Sequence, residues 1–197
     1  MTKTDKIIKR IFDLILSIVF IFIFWWLIIL LIVISTIDTK QFGVFVQKRI
    51  GYKARSFKIY KIRTMTNVNS FEKHSNTERD KKVTKFGKLL RKAKLDELPQ
   101  ILNILKGEMS FVGPRPDISG FADTLSGKDK IILTVKPGLT GPASIKFKNE
   151  EQLLAFQNNP EYFNKNIIWP EKVAINKIYI ENYSIFKDIK YIIKTVF

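Results

Sequence analysis

Hydrophobic positions along this chain fall into one unbroken run, two short alternating stretches and several helical stripes. From Leu14 to Ile37, 24 positions pass without a charge, dominated by Ile, Leu, Phe, Val and Trp. A straight helix of that length reaches about 36 Å, enough to cross a bilayer core. The run is apolar all round and has no small-residue cleavage site, which argues against a buried core helix and against a removed signal peptide. Lys3, Lys6, Lys9 and Arg10 precede it; Lys40, Lys48, Arg49, Lys53 and Arg55 follow. Positive charge marks the cytoplasmic side of short flanks, and here both flanks carry it. The expectation is therefore a membrane-embedded, re-entrant helix within residues 1–40 that enters and leaves by one face. The run contains no Pro or Gly, the residues at which sharp kinks usually form.

Gln41–Ile50 and Ser56–Arg63 alternate at period two around Gly51-Tyr-Lys-Ala-Arg55, which predicts a short β-hairpin. Phe86, Leu89, Leu90 and Ala93 fit one helical face within Lys85–Lys94. Leu98, Ile101, Leu102 and Leu105 fit another, closed by Gly107. Pro99 is tolerated if that second helix starts near Glu97, where amides have no intrahelical partner. Val112–Pro116 and Val135–Pro142 read as rigid turns, and Glu150–Asn158 as a polar helix. Glu171–Phe197 interleaves Ile178, Tyr179, Tyr183, Phe186, Ile189 and Ile193 with Lys177, Lys187, Lys190 and Lys194. That stretch predicts a basic amphipathic helix able to lie on an anionic membrane surface. The fold class expected is mainly helical α+β: the embedded helix, then a small domain over 41–197 with the hairpin and interfacial amphipathic helices.

Composition removes several kinds of chemistry. The 197 residues contain no cysteine, so thiolate nucleophiles and Cys-ligated metals are excluded. The single histidine, His74, lies in the polar insert Thr66–Lys82 and reads as a solvated loop residue. Lys and Arg number 34 against 18 Asp and Glu, a net charge of +16. The positive residues are spread along the chain without a zinc-finger or ribonucleoprotein signature, so no nucleic-acid partner is expected. An embedded basic protein meets anionic lipid and phosphorylated substrates instead.

The local candidate for chemistry is Lys94-Leu-Asp96-Glu97-Leu-Pro99. A carboxylate at a helix start can cap orphan amides. A carboxylate pair can also hold one divalent cation whose shell is completed by diphosphate oxygens. Neighbouring cations, Arg91 among them, would keep both groups ionised. In Pro114-Arg115-Pro116, prolines stiffen the backbone on both sides of a guanidinium, which suits bidentate phosphate contact. Lys61 and Arg63, at the end of the hairpin, add further cations. No Walker loop, Gly-x-Gly-x-x-Gly or Asp-x-Asp is present.

The order of these motifs resembles the monotopic polyprenyl-phosphate phosphoglycosyl transferases, bacterial sugar transferases that start cell-surface glycan assembly. The matching pieces begin with Lys9-Arg-Ile-Phe-Asp13, Val44–Gly51, Ile59–Met65 and Val83–Arg91. They continue with Leu95–Asn103, Lys106–Pro116, Val135–Gly141 and Tyr179–Ser184. The resemblance covers roughly residues 9–196. It implies transfer of a sugar phosphate from a UDP-sugar to undecaprenyl phosphate, with UMP released and Mg²⁺ assisting. It implies Asp96 as the nucleophile that forms a covalent sugar-phosphoryl intermediate, with Glu97 positioning it or sharing the metal. Arg91 and Arg115 become phosphate ligands, with Lys61 and Arg63 as secondary candidates. Arg10 and Asp13 become a structural pair at the membrane entry. The implied setting is the cytoplasmic face of the bacterial inner membrane, among membrane lipids, with self-association left open. Similar proteins carry Ser-Pro near the middle of the embedded helix, where this chain has Trp25-Trp26. The alternative reading is an inactive membrane-anchored scaffold of a glycan assembly complex.

Overall fold

The computed structural model describes residues 1–66 and 83–196. His74 and nearly all of the polar insert lie outside the described residues. The chain is mainly helical α+β. It opens with one helix, α1 (Lys3–Thr39), continues through strands β1 (Val44–Ile50) and β2 (Ser56–Ile62), and reaches α2 (Lys85–Lys92). A 3₁₀ helix, Leu95–Gln100, leads into α3 (Ile101–Lys106). Next come β3 (Ser110–Val112) and β4 (Gly138–Thr140), separated by two further 3₁₀ turns. The helices α4 (Pro142–Lys146), α5 (Glu150–Ala155), α6 (Pro160–Phe163), α7 (Trp169–Glu181) and α8 (Ile185–Val196) complete it.

The re-entrant turn expected within α1 is not present as a break in the helix, which runs unbroken from Lys3 to Thr39. No Pro or Gly interrupts Leu14–Ile37, so each amide keeps its partner four residues back. Among the described residues α1 is the one helix long and apolar enough to cross a membrane. Its burial is the inverse of a helix in water. Lys9, Asp13, Ser17, Ser35 and Thr39 are buried, whereas Phe22, Trp25 and Trp26 are exposed, Phe22 by 81%. Lipid surroundings allow that arrangement, because they offer polar groups no partners and apolar ones no penalty.

The chain divides into two compact units. One comprises Ile15–Gln47 and Lys58–Leu105. Its core joins Leu31, Ile62 and Leu90, with Leu27, Ile32, Phe86, Leu95 and Leu98 packed against them. The Ser35 hydroxyl donates to the Arg63 carbonyl at 2.5 Å, tying α1 to the strand end. Asn103 is fully buried and clamps β2, donating to the Lys58 carbonyl at 2.7 Å and accepting from the Tyr60 amide at 3.3 Å. At Gly87 a Cβ would lie 2.3 Å from the Thr64 carbonyl oxygen, so only glycine lets α2 approach that backbone. The expected hairpin is present as the β1–β2 sheet. Its strands are antiparallel because five residues cannot make a parallel crossover.

The other unit comprises Met1–Leu14, Lys48–Phe57 and Lys106–Phe197. Of the two stretches read as rigid turns, Val135–Pro142 contains β4, and β3 ends at the first residue of the other; the strands pair in parallel, with Ser110 opposite Gly138 and Val112 opposite Thr140. Three-residue strands are too short to show a period, and their pairing depends on close backbone approach: a Cβ on Gly138 would lie 2.1 Å from the Gly113 nitrogen. The single amphipathic helix expected over Glu171–Phe197 is instead two, α7 and α8, broken around Asn182–Ser184. The break turns two faces toward one buried acid. Asp188 accepts from Lys9 Nζ at 2.5 Å and from the Tyr179 hydroxyl at 2.7 Å, with Asp188 fully buried. Val173, Tyr179 and Ile180 of α7 are buried, while Phe186, Ile189 and Ile193 stay exposed on α8.

Candidate active site

The dyad Asp96-Glu97 lies in the 3₁₀ helix Leu95–Gln100, just beyond a sharp turn. Lys94 occupies the left-handed region at φ 55°, which ends α2 and redirects the chain. A non-glycine residue there costs about 1 kcal/mol or more, and such strain gathers where geometry serves function. Asp96 is not a cap: the cap position is Lys94, and no side chain caps the helix. Pro99 is accepted inside this short helix, buried with Gln100.

Three charged neighbours surround Asp96. Lys61 projects from β2 and bonds Glu97, Nζ to Oε1 at 2.9 Å, with both side chains largely buried. Arg91, in the last turn of α2, donates through Nε to the Thr64 hydroxyl at 2.9 Å. Burial raises the Asp96 carboxyl above its ordinary pKa, and the neighbouring Glu97 charge adds to the rise. Lys61 and Arg91 act in the opposite sense. The result is a half-buried carboxylate that is costly to ionise yet flanked by two cations, as a nucleophile toward a phosphate ester requires.

The structure thus brings Lys61, Arg91, Asp96 and Glu97 together within one unit. Arg63 belongs to the same unit and is engaged elsewhere: its Nε donates to the Phe42 carbonyl at 2.9 Å, and its guanidinium lies over the Phe45 ring. Thr64, which orients Arg91, carries no sequence signal of that role. Asp13 is buried in the other unit, accepting from the Ser110 hydroxyl at 3.0 Å and the Phe111 amide at 3.1 Å. Arg10 approaches Gly107 together with Lys136. Burial, and then the Arg10 charge, lower the Lys136 pKa.

Magnesium fits this dyad in one mode. Among the described residues no three His, Cys, Asp or Glu side chains cluster as a metal cage. Mg²⁺, however, commonly binds one or two carboxylates and completes its shell with water and substrate phosphate. Asp96 and Glu97 would offer such an ion two carboxylates, Glu97 with one oxygen already on Lys61 Nζ.

Arg115 lies in the unit that holds β3 and β4, exposed at a pocket that also carries Asp117 and Asn176. Burial pushes the Asp117 carboxyl up to about 6, against Lys172, Arg49 and Arg115, with Glu150 adding to the rise. A carboxyl with a raised folded-state pKa makes the folded chain bind more protons than the unfolded one between about pH 4 and about pH 6. Stability from this group therefore falls as pH rises through that window, and the penalty is complete above it. Asp117→Asn is expected to remove this decline. The check is thermal unfolding of both proteins at about pH 4.5 and about pH 7.5, where the gain of the variant over the wild type should be clearly larger at the higher value.

Known proteins resemble this chain over nearly its whole length. The sequence profile described as bacterial sugar transferase matches residues 4–197. The chain is 34% identical to the uncharacterized sugar transferase EpsL of Bacillus subtilis strain 168, over 96% of this chain and 86% of that protein. It is 31% identical to the exopolysaccharide production protein ExoY of Rhizobium meliloti strain 1021, over 95% and 83%. A third relative, the UDP-glucose:undecaprenyl-phosphate glucose-1-phosphate transferase of Klebsiella pneumoniae, is 35% identical over 98% of this chain but only 40% of its own length. The match covers both units, the 3₁₀ helix with its acidic dyad and the loop with Arg115, and on that extent the chain belongs to the bacterial sugar transferase family.

Proposed function

We propose that this protein is a phosphoglycosyl transferase that moves a sugar-1-phosphate from a UDP-sugar to undecaprenyl phosphate and releases UMP. Relatives named for transfer to undecaprenyl phosphate support the substrate class. The observation that carries the mechanism is a half-buried Asp96 beside the Lys61–Glu97 ion pair and Arg91. A carboxylate oxygen of Asp96 attacks the β-phosphorus. The new Asp–O–P bond forms as the bond from that phosphorus to the bridging oxygen breaks, and the electron pair leaves on UMP. An oxygen of undecaprenyl phosphate then attacks the same phosphorus, the Asp–O–P bond breaks, and the carboxylate is regenerated with the diphospholipid-linked sugar as product. Arg91 and Arg115 bind phosphate oxygens, and Lys61 fixes Glu97 so that the dyad keeps one geometry. Asp96 and Glu97 would hold Mg²⁺, which would supply neutralisation of phosphate charge. The α1 helix holds the protein in the bacterial inner membrane with the dyad on the cytoplasmic face, where a long lipid presents its phosphate without leaving the bilayer.

The test is nucleotide release by full-length protein in nanodiscs with Mg²⁺, undecaprenyl phosphate and a panel of UDP-sugars. Lipid-dependent UMP is expected from at least one sugar. UDP instead would mean ordinary glycosyl transfer, and neither nucleotide from folded protein would favour the scaffold reading.

Lys61 sets a further expectation. Its charge lowers the Asp96 pKa, so Lys61→Met should raise that pKa. Because only ionised Asp96 attacks, the acid limb of the rate profile should move to higher pH. An acid limb that stays in place while the rate falls would assign Lys61 to substrate binding alone.

A further inference from the structure

A guanidinium can grip two oxygens in parallel along either of two edges, one formed by Nε with an Nη group and one by the two Nη groups. The way Arg91 is held decides between them. Its Nε carries one hydrogen, and that hydrogen goes to the Thr64 hydroxyl at 2.9 Å. The Nε edge is therefore closed, and the pair of Nη groups on this exposed residue is the edge left for a bidentate contact. Thr64 is itself fixed on several sides. It is 6% exposed and lies two residues beyond the end of β2. Its carbonyl accepts from the Thr84 amide at 3.1 Å, and Thr84 caps α2 by accepting from the Gly87 amide at 2.8 Å. Just before it the Ser35 hydroxyl of α1 holds the Arg63 carbonyl, and just after it Met65 bridges Val83. Thr84, Gly87 and Arg91 recur at three and four residues, so they share one face of α2. Thr64 meets that face at both ends, through its backbone at the first turn and its hydroxyl at the last. All of these residues belong to the unit that holds the dyad.

We propose that Thr64 is a positioning residue for the transfer: its hydroxyl takes the Nε edge of Arg91 and so presents the two Nη groups to a substrate phosphate. The inference rests on the proposed function, which makes Arg91 a phosphate ligand. Stability gives the bond little reason to exist, because water can serve the Nε of an exposed guanidinium almost as well. Orientation gives it one. A long side chain free to rotate must be ordered when phosphate binds, and a fork already held in place avoids that cost.

Steady-state UMP release by full-length protein in nanodiscs tests this, with the UDP-sugar that supports turnover. Thr64→Val keeps the shape and every backbone contact of the residue and deletes only the acceptor. Its kcat/KM for the UDP-sugar should fall about tenfold, the worth of one hydrogen bond to a charged group. Thr64→Ser restores the acceptor and should keep most of the wild-type rate. Without Arg91 the hydroxyl has nothing to position, so adding Thr64→Val to Arg91→Met should change the remaining rate by less than about twofold. The melting temperature of Thr64→Val should stay near that of the wild type, because the exposed Nε is rehydrated. Should that variant unfold, Thr64→Ala removes the same hydroxyl and takes its place in both backgrounds. An unchanged rate in Thr64→Val would overturn the inference, as would an equal loss with and without Arg91. So would a rate that Thr64→Ser fails to restore, or one that falls only in step with the melting temperature. Any of these in protein whose wild type releases UMP overturns this inference alone. Failure of the wild type to release UMP from any sugar overturns the proposed function, and the inference with it.

Discussion

Asp96→Asn should lower lipid-dependent UMP release by about 10³-fold or more, since an amide cannot form the acyl-phosphate bond and the flanking groups act only through it. Stability should move the other way. The Asp96 charge is disfavoured in the fold by burial and by Glu97, so replacing it with a neutral isostere relieves a penalty, and the melting temperature should hold or rise. Opposite signs for rate and stability separate a lost nucleophile from a damaged fold. The measurement pairs UMP release with thermal unfolding on the same preparation, its identity confirmed by intact mass. A variant that keeps its turnover would remove Asp96 from the nucleophile's role, and one that loses both would leave only a structural part for it.

Asp188→Ala is expected to be the most damaging single change far from the dyad in sequence. Asp188 is fully buried, takes the Lys9 ammonium at 2.5 Å and the Tyr179 hydroxyl at 2.7 Å. Burial, and then the Asp188 charge, push the Tyr179 hydroxyl well above the usual tyrosine range, so it remains a donor. Removing the acid takes the closest partner from a buried ammonium, which keeps only the Asp13 charge nearby, and from a buried hydroxyl, which keeps only the Val112 carbonyl at 3.5 Å. Breaking a buried pair from one side costs about 3–5 kcal/mol, or roughly 10 °C in melting temperature for a chain of this size. The Lys9→Met, Asp188→Leu double variant should recover much of that loss, because replacing a whole buried pair with apolar groups is often neutral. Thermal unfolding of both variants decides the matter. A loss below about 1 kcal/mol for Asp188→Ala would mean that the pair is solvated and dispensable.

Strain at Lys94, the Lys61–Glu97 pair and the Arg91–Thr64 bond all hold one short helix in place. Each costs backbone or charge freedom that the fold must supply elsewhere, and the cores at Leu31, Ile62 and Leu90 and around Met109, Val112 and Ile180 are where burial offsets it.

Much of this was legible in the chain alone. The uncharged run Leu14–Ile37 fixes α1 because no other element accommodates 24 uncharged residues, 21 of them apolar, spread over every face. Alternation in Gln41–Arg63 predicts the hairpin, and the spacing of Phe86, Leu89 and Leu90 predicts α2, since both patterns repeat within a few residues. The acidic dyad and the prolines around Arg115 likewise stand out locally. Only tertiary structure decided the remainder. It split Glu171–Phe197 into α7 and α8, and Lys9 and Tyr179 each take one oxygen of a buried carboxylate that lies far from Lys9 in sequence. It paired Ser110–Val112 with Gly138–Thr140, strands too short to carry a period. It set Thr64 under Arg91. Periodicity reports which way a side chain faces along its own element. Partners contributed by distant segments depend on how those elements close on one another, and for that the sequence holds no local repeat.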